Sequence, residues 1–466
     1  MKTSGSLLST TIIYTIGNLA TKGLSFVLVF FTTFYLTQAE VGELDLFLVT
    51  VSLLTPFVTF QLTDSILRWL IEDKSEENIS GVLTVSTALV LLGIFLLALL
   101  KVVVSFFYPV PYANYIFALL FFQSFYLLFQ QFQRAVGDNK GYVVSSIVYT
   151  LVYVVLSVFF LVVLDWKLEG LLLANTIAAF ISLLYVVLKN KIFQYLKKES
   201  FSWSLAKQLW QFSLPLVPNN VSWWAISSAN RYLILLFLGA SANGIFAIAY
   251  KLPTIVLLLI NVFYLAWQEK AIAMYADKER DLYYTRILGK YVVFLFSVSI
   301  VIVGCNKVFL THFVSADFYD SWEYTALLLV GIVFNALAGF YGTGYLSAKK
   351  TSGALSSSIA GGLVVIAISY MTIPKYGLYG ASFAITIGYL ILFLMRLWQT
   401  KSYFNIQFPI VSFVKMLLAF ILISLANYWE IEGIQYLLPV VSLLFVWWIN
   451  RQDVSLLYQK IKAKLP

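Results

Sequence analysis

Five ionisable side chains interrupt long apolar stretches of this sequence: Lys22, Asp64, Arg68, Arg231 and Lys251. A charge at the centre of a bilayer costs about 2.5–3.5 kcal/mol on insertion scales, so such a residue usually faces protein or water. Lys22, Arg231 and Lys251 therefore predict a cationic cavity that receives an anionic group. Phosphate is the strongest candidate, because Arg holds it through paired donors and Lys acts as a point charge. The alternative, strongest for Arg231 and Lys251, is that the side chains extend to the lipid headgroups.

Asp64 and Arg68 are four residues apart and share one face of a predicted helix. The simpler interpretation is a local pair that neutralises itself near the inner surface of the membrane. The alternative is a coupling or gating role, in which Asp64 binds a proton or a sodium ion and Arg68 is its partner.

Prolines in the apolar stretches predict bends close to these charges. Pro215, Pro218 and Pro253 each remove a backbone donor, and the first two should bend their helix and expose carbonyl groups toward a cavity. Such bends suit a protein that opens alternately to the two sides of a membrane, although Pro is also frequent in membrane helices in general. Trp223, Trp224 and Tyr232 are candidates for stacking on sugars.

Several kinds of chemistry are missing from the sequence. Cys305 is the one cysteine and His312 the one histidine, so we expect neither a disulfide nor a metal centre. A Gly-rich phosphate loop ending in Lys-Ser/Thr is also absent, and we expect no ATP site and no cofactor. Paired catalytic carboxylates in a polar domain are not found, which argues against an enzyme.

The composition predicts the elements that position these residues. Of the 466 residues, 61% are apolar and 11% are charged, and the mean hydropathy is +0.87. Soluble proteins carry about 25% charged residues, so a soluble globule or a nucleic-acid-binding module is excluded and no nucleic-acid partner is expected. Apolar windows of about 20 residues predict an all-α, multi-pass membrane protein with about fourteen transmembrane helices.

The distribution of basic residues predicts the orientation of these helices. With the N-terminus in the cytoplasm, most Lys and Arg residues fall in inner loops, as the positive-inside rule requires. Both termini are then cytoplasmic. The first apolar stretch contains Lys22 and is longer than the roughly 7–15 residues of a signal-peptide core, so we expect it to be retained. Most of the net charge of +9 is therefore a topology signal.

Weak internal similarities predict two related halves. Residues 36–42 resemble residues 238–244, and Ser145-Ser146-Ile147 recurs as Ser357-Ser358-Ile359. Parallel repeats of this kind build transporters whose site lies between the halves. We predict two pseudo-symmetric six-helix bundles joined by a linker with an interfacial amphipathic helix, followed by two extra helices and a basic cytoplasmic tail. The predicted boundaries are 1–188, 189–210, 211–400 and 401–466.

Two segments carry motifs of a known family. The matching residues are Lys22-Gly23-Leu24, Gly42-Glu43-Leu44 and Asp64-Ser65-Ile66-Leu67-Arg68 in the first segment, and Asn230-Arg231-Tyr232, Phe237-Leu238-Gly239 and Tyr250-Lys251-Leu252-Pro253 in the second. The sequence resembles the Wzx-type polysaccharide flippases of the multidrug/oligosaccharidyl-lipid/polysaccharide exporter superfamily.

This resemblance implies a V-shaped cavity between two six-helix bundles. It also implies transport of an undecaprenyl-diphosphate-linked oligosaccharide from the cytoplasmic to the outer leaflet of the bacterial cytoplasmic membrane. In such proteins, positive cavity residues meet the diphosphate or acidic sugars, a role that the resemblance gives to Lys22, Arg231 and Lys251. The residue before Arg231 is often acidic in relatives but is Asn230 here. This departure predicts that Arg231 has no acidic partner.

We therefore predict a flippase that works by alternating access in the biosynthesis of a cell-surface polysaccharide such as an O-antigen, lipopolysaccharide or exopolysaccharide. Its expected partners are the polyprenyl-diphosphate-linked oligosaccharide, membrane lipids, and assembly proteins such as a polymerase. An ion-coupled multidrug exporter of the same superfamily is the first alternative, and it would favour buried acidic residues. A membrane-embedded polymerase or ligase is the second, but the longest outer segment, about 312–321, is short for catalytic groups.

Overall fold

The computed structural model of the protein describes residues 4–348, 350, 352–429, 431 and 433–462. These residues form α-helices joined by short connections, and none of them lies in a β-strand. The predicted all-α class is therefore confirmed. The predicted basic tail around 454–464 falls largely outside the part of the chain whose side chains are described.

Two compact units divide the chain. The first contains the residues up to Leu235 together with Gly239–Gly244. Its helices are α1 (Ser4–Tyr35), α2 (Gln38–Thr59), α3 (Leu62–Glu72), α4 (Glu76–Phe107), α5 (Ala113–Val136), α6 (Asn139–Val158), α7 (Lys167–Lys189), α8 (Trp203–Ser213), α9 (Leu216–Ser228) and most of α10 (Asn230–Leu238).

The second unit contains Leu236–Leu238 and the residues from Ile245 onward. Its helices are the second half of α11 (Ala240–Ala249), α12 (Lys251–Ala273), α13 (Arg280–Phe313), α14 (Trp322–Ser347), α15 (Ser352–Gln399), α16 (Ile410–Ala426) and α17 (Ile434–Lys462). Its core includes the ring of Trp267, which stacks on Phe340 with ring centroids 4.1 Å apart.

Ten helical segments among the described residues are long and apolar enough to cross a membrane, so the protein is a multi-pass membrane protein. This number does not confirm the predicted fourteen. One of the ten, Ser352–Ser402, is a single long run whose helix is kinked at Gly377, where φ is 56°. Three further apolar helices are shorter: Ala20–Tyr35, Ala240–Ala249 and Ile410–Ala426.

The prolines singled out in the sequence lie at or just after helix breaks. Pro215 separates α8 from α9, and Pro218 is the third residue of α9. Neither residue can donate to the preceding turn, and the carbonyl of Leu214 accepts from the amide of Val217 at 3.1 Å instead. Pro253 is likewise in the first turn of α12, where proline is tolerated. A third break separates α2 from α3 at Phe60 and Gln61, which both adopt the left-handed conformation.

One face of α3 forms part of the core of the first unit. Leu62, Ile66 and Leu70 have 0% of their surface exposed and pack with residues of α4, α5 and α8. On the same face, the hydroxyl of Ser65 contacts that of Ser213, the last residue of α8. Burial of these side chains holds α3 against α8 and leaves the opposite face of α3 outside the core.

Candidate functional site

Arg231 is buried in the first unit beside a carboxylate. Its side chain is 5% exposed, and its Nε atom lies 3.4 Å from Oδ2 of Asp45 on α2, whose side chain is 22% exposed. The Nη1 atom also donates to the carbonyl of Ser227, one turn earlier on α9. The expectation that Arg231 lacks an acidic partner is therefore wrong, because α2 supplies one from a distant part of the chain.

Two asparagines complete this cluster of polar residues. Oδ1 of Asn230 accepts from Nη1 of Arg231 at 3.2 Å, and Nδ2 of Asn243 donates to the carbonyl of Gly42 at 2.8 Å. Both asparagines are 0% exposed. Within the described part of the chain, Nδ2 of Asn230 and Oδ1 of Asn243 have no hydrogen-bond partner. Buried polar groups are usually paired, so these two atoms are available to a ligand or to water.

The cluster is adjacent to a close crossing of the N-terminal turns of α2 and α11. A Cβ atom added to Gly42 would collide with the carbonyl of Ala240, and one added to Gly244 would collide with the carbonyl of Gln38. The two contacts are reciprocal, since each glycine meets the residue four positions before the other. Only residues without a side chain allow helix backbones to approach this closely.

Hydrogen bonds also join α2 to α9 and α10. Nε1 of Trp224 donates to the carbonyl of Val49 at 3.0 Å, and the hydroxyl of Tyr232 lies 2.6 Å from that of Thr50. The polar groups of both aromatic residues are thus used to hold helices together. Their proposed stacking on sugars stays a prediction.

The other two predicted cations lie on other helices. Lys22 lies on an exposed part of α1, and in the described residues no hydrogen bond or ion pair connects it to Arg231. Lys251 is half-buried as the first residue of α12 and belongs to the second compact unit. A shared cavity for the three cations therefore stays a prediction.

Asp64 and Arg68 line an open pocket of about 450 Å³ in the first unit. Arg68 pairs with Glu72 at 2.8 Å, one turn further along α3. The expectation that Arg68 pairs with Asp64 is therefore wrong, because its partner is Glu72. Asn219 and Asn220 of α9 lie on the other wall of the same pocket.

The chemistry of the buried cluster is that of binding and not of bond making. Arg231 and Asn230 supply N–H donors, while Asp45 supplies the negative charge that now faces them. Among the described residues, no group of three or more His, Cys, Asp or Glu side chains could hold a metal ion. An anion able to take the place of the Asp45 carboxylate would find charge-assisted donors already in position.

Solved structures with a similar fold are membrane transporters. A multidrug resistance MATE family transporter of the MOP superfamily, in an inward-facing conformation, has a TM-score of 0.67 and 15% identity over 82% of this chain and 95% of that chain. The lipid II flippase MurJ, in an inward closed conformation, has a TM-score of 0.66 and 15% identity over 95% of this chain and 99% of that chain. A MOP superfamily transporter from Pyrococcus furiosus has a TM-score of 0.57 and 15% identity over 89% of this chain and 95% of that chain.

The fold is therefore like that of MATE transporters and of the flippase MurJ. Comparison with curated proteins gives no match. Residues 7–267, more than half of the chain, match the model of a family described as polysaccharide biosynthesis protein, and the chain belongs to this family. The predicted family resemblance is thereby confirmed.

The sequence analysis singled out neither Asp45 nor Asn243, because both lie near the ends of apolar stretches, where polar residues are common. A capping box at the start of α2 could have identified the first. Thr37 accepts from the amide of Glu40 at 3.3 Å, and the Glu40 carboxylate accepts from the amide of Thr37 at 2.8 Å. The helix therefore begins at Gln38, and Asp45 lies on its third turn.

Proposed function

We propose that this protein is a flippase that moves an undecaprenyl-diphosphate-linked oligosaccharide across the bacterial cytoplasmic membrane by alternating access. The transported lipid would serve the biosynthesis of a cell-surface polysaccharide, with both termini of the protein in the cytoplasm. The observation that carries the proposal is the buried donor set of Arg231 and Asn230, which lies within the segment that matches the polysaccharide family.

The identity of residue 230 favours a phosphate ligand. A second acidic residue at position 230 would add to the negative charge of Asp45 and repel an anion. The amide of Asn230 instead offers a buried N–H donor without a partner among the described residues. Together with the guanidinium group, this donor can bind oxygen atoms of a diphosphate, since charge-assisted hydrogen bonds to Arg are strong and directional.

In the proposed cycle, the Asp45 carboxylate occupies the position beside Arg231 that the diphosphate takes when it binds. Its carboxylate contacts Arg231 at 3.4 Å, which is longer than a good charge-assisted hydrogen bond of about 2.7–2.9 Å. A diphosphate carries more negative charge than a single carboxylate and can displace it. Substrate binding would therefore release α2 from α10 and help the protein to change conformation.

Complementation in cells that lack this gene tests the proposal. Neutralising two cations in the double variant Lys22→Gln and Arg231→Gln should abolish polymer output and leave lipid-linked oligosaccharide on the inner leaflet, with protein still present in the membrane. The matched control is Lys140→Gln with Arg286→Gln, which removes two exposed cations elsewhere and should preserve output. Wild-type output from the first double variant would overturn the assignment of the two cations.

An ion-coupled multidrug exporter is the second candidate, because one similar fold is that of a multidrug resistance transporter and Asp45 adds a partly buried carboxylate to the site. This alternative predicts that expression of the protein raises resistance to an organic cation such as ethidium. The flippase proposal predicts unchanged resistance and restored polymer output in the same cells.

A further inference from the structure

The second polar site of the first unit is the open pocket between α3 and α9. One wall is a single face of α3, on which Asp64, Arg68 and Ile71 are spaced by about one helical turn. The facing wall carries Asn219 and Asn220 of α9. Its volume of about 450 Å³ falls in the range of about 300–1,000 Å³ that is usual for small-molecule sites.

Two helix breaks make the walls of this pocket face each other. α3 starts directly after Phe60 and Gln61, two non-glycine residues with φ of 48° and 56°. Such residues cost free energy and persist only where the surrounding structure fixes them. The ring of Phe60 packs on Trp210 of α8, with centroids 4.5 Å apart, and α9 starts directly after Pro215. The pocket is therefore a built feature of the fold.

The charges around the pocket balance. Arg68 is paired with Glu72 at 2.8 Å, and the guanidinium group of Arg134 acts electrostatically on the carboxylate of Asp64. Arg68 is already paired and is 60% exposed, so this pocket lacks the buried cation that Arg231 would supply to a diphosphate. It does offer carboxylate oxygens as acceptors, guanidinium N–H groups as donors, and amides that can do both.

Hydroxyl groups are the ligand groups that use such a mixed set, because each hydroxyl donates one hydrogen bond and accepts others. The pocket also has exposed apolar walls, with Phe212 40% and Ile71 59% exposed. Such surfaces suit the C–H faces of a sugar ring. We propose that this pocket binds uncharged, hydroxyl-rich sugar units of the transported lipid, an inference that rests on the proposed flippase function.

The position of the pocket relative to Arg231 supports two separate binding positions, one for the sugar and one for the diphosphate. α9 and α10 follow each other through Ala229, which has helical dihedral angles. Asn220 precedes Arg231 by eleven residues on this helical run, which corresponds to roughly 16 Å. A lipid that carries both a sugar and a diphosphate can thus be recognised at two separate positions along one helical run.

Binding to the purified full-length protein in lipid nanodiscs tests the proposal. One probe is the lipid-linked oligosaccharide fraction extracted from cells that lack this gene, and the other is undecaprenyl diphosphate without sugar. Wild type should bind the glycolipid about tenfold more tightly than the sugar-free lipid, a difference that a few net hydrogen bonds can supply. Asn219→Ala with Asn220→Ala, and separately Asp64→Asn, should remove this preference and leave the affinity for undecaprenyl diphosphate unchanged.

Arg231→Gln provides the contrasting arm, because it should weaken both probes by a similar factor. Glu77→Gln, which changes an exposed carboxylate on α4 outside the pocket, should behave like wild type. A preference for the glycolipid that survives in both pocket variants would overturn the sugar site, as would its absence in wild type. If the flippase proposal itself were wrong, the result would be different, because Arg231→Gln would then fail to weaken the binding of either probe. Two pocket variants with different chemistry guard against a result caused by misfolding of one of them.

Discussion

The two ends of the α2–α3 run in the first unit contact the α8–α11 segment in opposite ways. At the first end, Gly42 and Gly244 bring backbones together, and Arg231 is 5% exposed beside Asp45. At the second end, Asp64 faces an open pocket of about 450 Å³. The same pair of chain segments is therefore tightly closed at one end and open at the other.

Residue size explains the difference. Glycine at both crossing positions removes the side chains that would otherwise separate the helices, and Asn243 bonds directly to the backbone of Gly42 at 2.8 Å. At the open end, the breaks at Gln61 and Pro215 turn the helices. Longer side chains then separate the two helices, and the space between the helices can admit a ligand.

This contrast gives each end a distinct role in the proposed cycle. A transporter that works by alternating access must close one end of its path while the other accepts substrate. In the proposed flippase, the glycine crossing would be the closed end of this pair of segments and the pocket would be the accessible end. Arg231 lies next to the closed end, where binding of a diphosphate would disturb the contact with Asp45.

The largest effect is expected from a methyl group at the crossing. Gly42→Ala places a Cβ atom against the carbonyl of Ala240, so the helices must separate. Overpacking of this kind typically costs about 1–3 kcal/mol. We expect a lower unfolding midpoint in detergent, measured by thermal denaturation, together with reduced polymer output in complemented cells.

Gly289→Ala is the matched control for this change. Gly289 is also within a helix, but an added Cβ atom there meets no atom within 4 Å. Removing a helical glycine in open space should leave stability unchanged or raise it by up to about 1 kcal/mol. If Gly42→Ala melted at the same temperature as Gly289→Ala, the close crossing would not be a feature of the folded protein.

The second-largest effect is expected from removing the carboxylate charge of Asp45 beside Arg231. Asp45→Asn keeps the shape of the side chain but removes the negative charge 3.4 Å from the guanidinium group. We expect undecaprenyl diphosphate to bind about tenfold more tightly, which corresponds to about 1.4 kcal/mol, because the ligand no longer competes with a carboxylate. Turnover should fall, since release of the ligand becomes slower.

Asp165→Asn makes the same chemical change at an exposed position and should alter neither affinity nor polymer output. Affinity for undecaprenyl diphosphate that is equal in wild type and Asp45→Asn would show that Asp45 does not occupy the place of the anion. The measurement is a binding titration on purified protein in nanodiscs at low ionic strength, where the contribution of a partly exposed charge is largest.

The sequence allowed the fold class to be predicted and Arg231 to be singled out, but not the partner of that cation. Apolar periodicity identifies membrane helices, and an unusual charge such as Arg231 is visible within them. Asp45 lies 186 residues away along the chain, and its proximity depends on how α2 packs on α10. Tertiary contacts of this kind leave no local signal, although the capping box at Thr37 and Glu40 does fix the start of α2.

The internal similarities were more informative than their length suggests. Residues 36–42 and 238–244 contain the two crossing glycines, and their resemblance did not reveal that they contact each other.

The repeated serine pairs also have related roles. Ser145 and Ser146 accept hydrogen bonds from Gln130 at 3.1 and 2.6 Å. In the second unit, Ser357 and Ser358 accept from Arg396, each at 3.2 Å, and this arginine is 5% exposed.

The smallest effect is expected at an ordinary ion pair that serves as a reference for Arg231 and Asp45. Asp138, the N-cap of α6, accepts from the amide of Gly141 at 2.9 Å and from Nζ of Lys189 at 2.7 Å. Partial burial of the carboxyl opposes ionisation, but Lys189 and the Gly141 amide outweigh it and lower the pKa of Asp138 below its usual value. Both side chains are about one-third exposed, so the pair should contribute no more than about 1 kcal/mol.

Because the pKa of Asp138 is lowered on folding, its contribution to stability is complete above the unfolded-state pKa of about 3.9 and is lost as the pH falls through the folded-state value. Asp138→Asn keeps a good N-cap residue and removes only the charge. Its unfolding midpoint should lie slightly below that of wild type at pH 7, and the two midpoints should converge as the pH is lowered below 3.9. A pH-independent difference would assign the effect to the cap and not to the ion pair. A stability loss at pH 7 well above about 1 kcal/mol would show that Asp138 and Lys189 are not an ordinary surface pair.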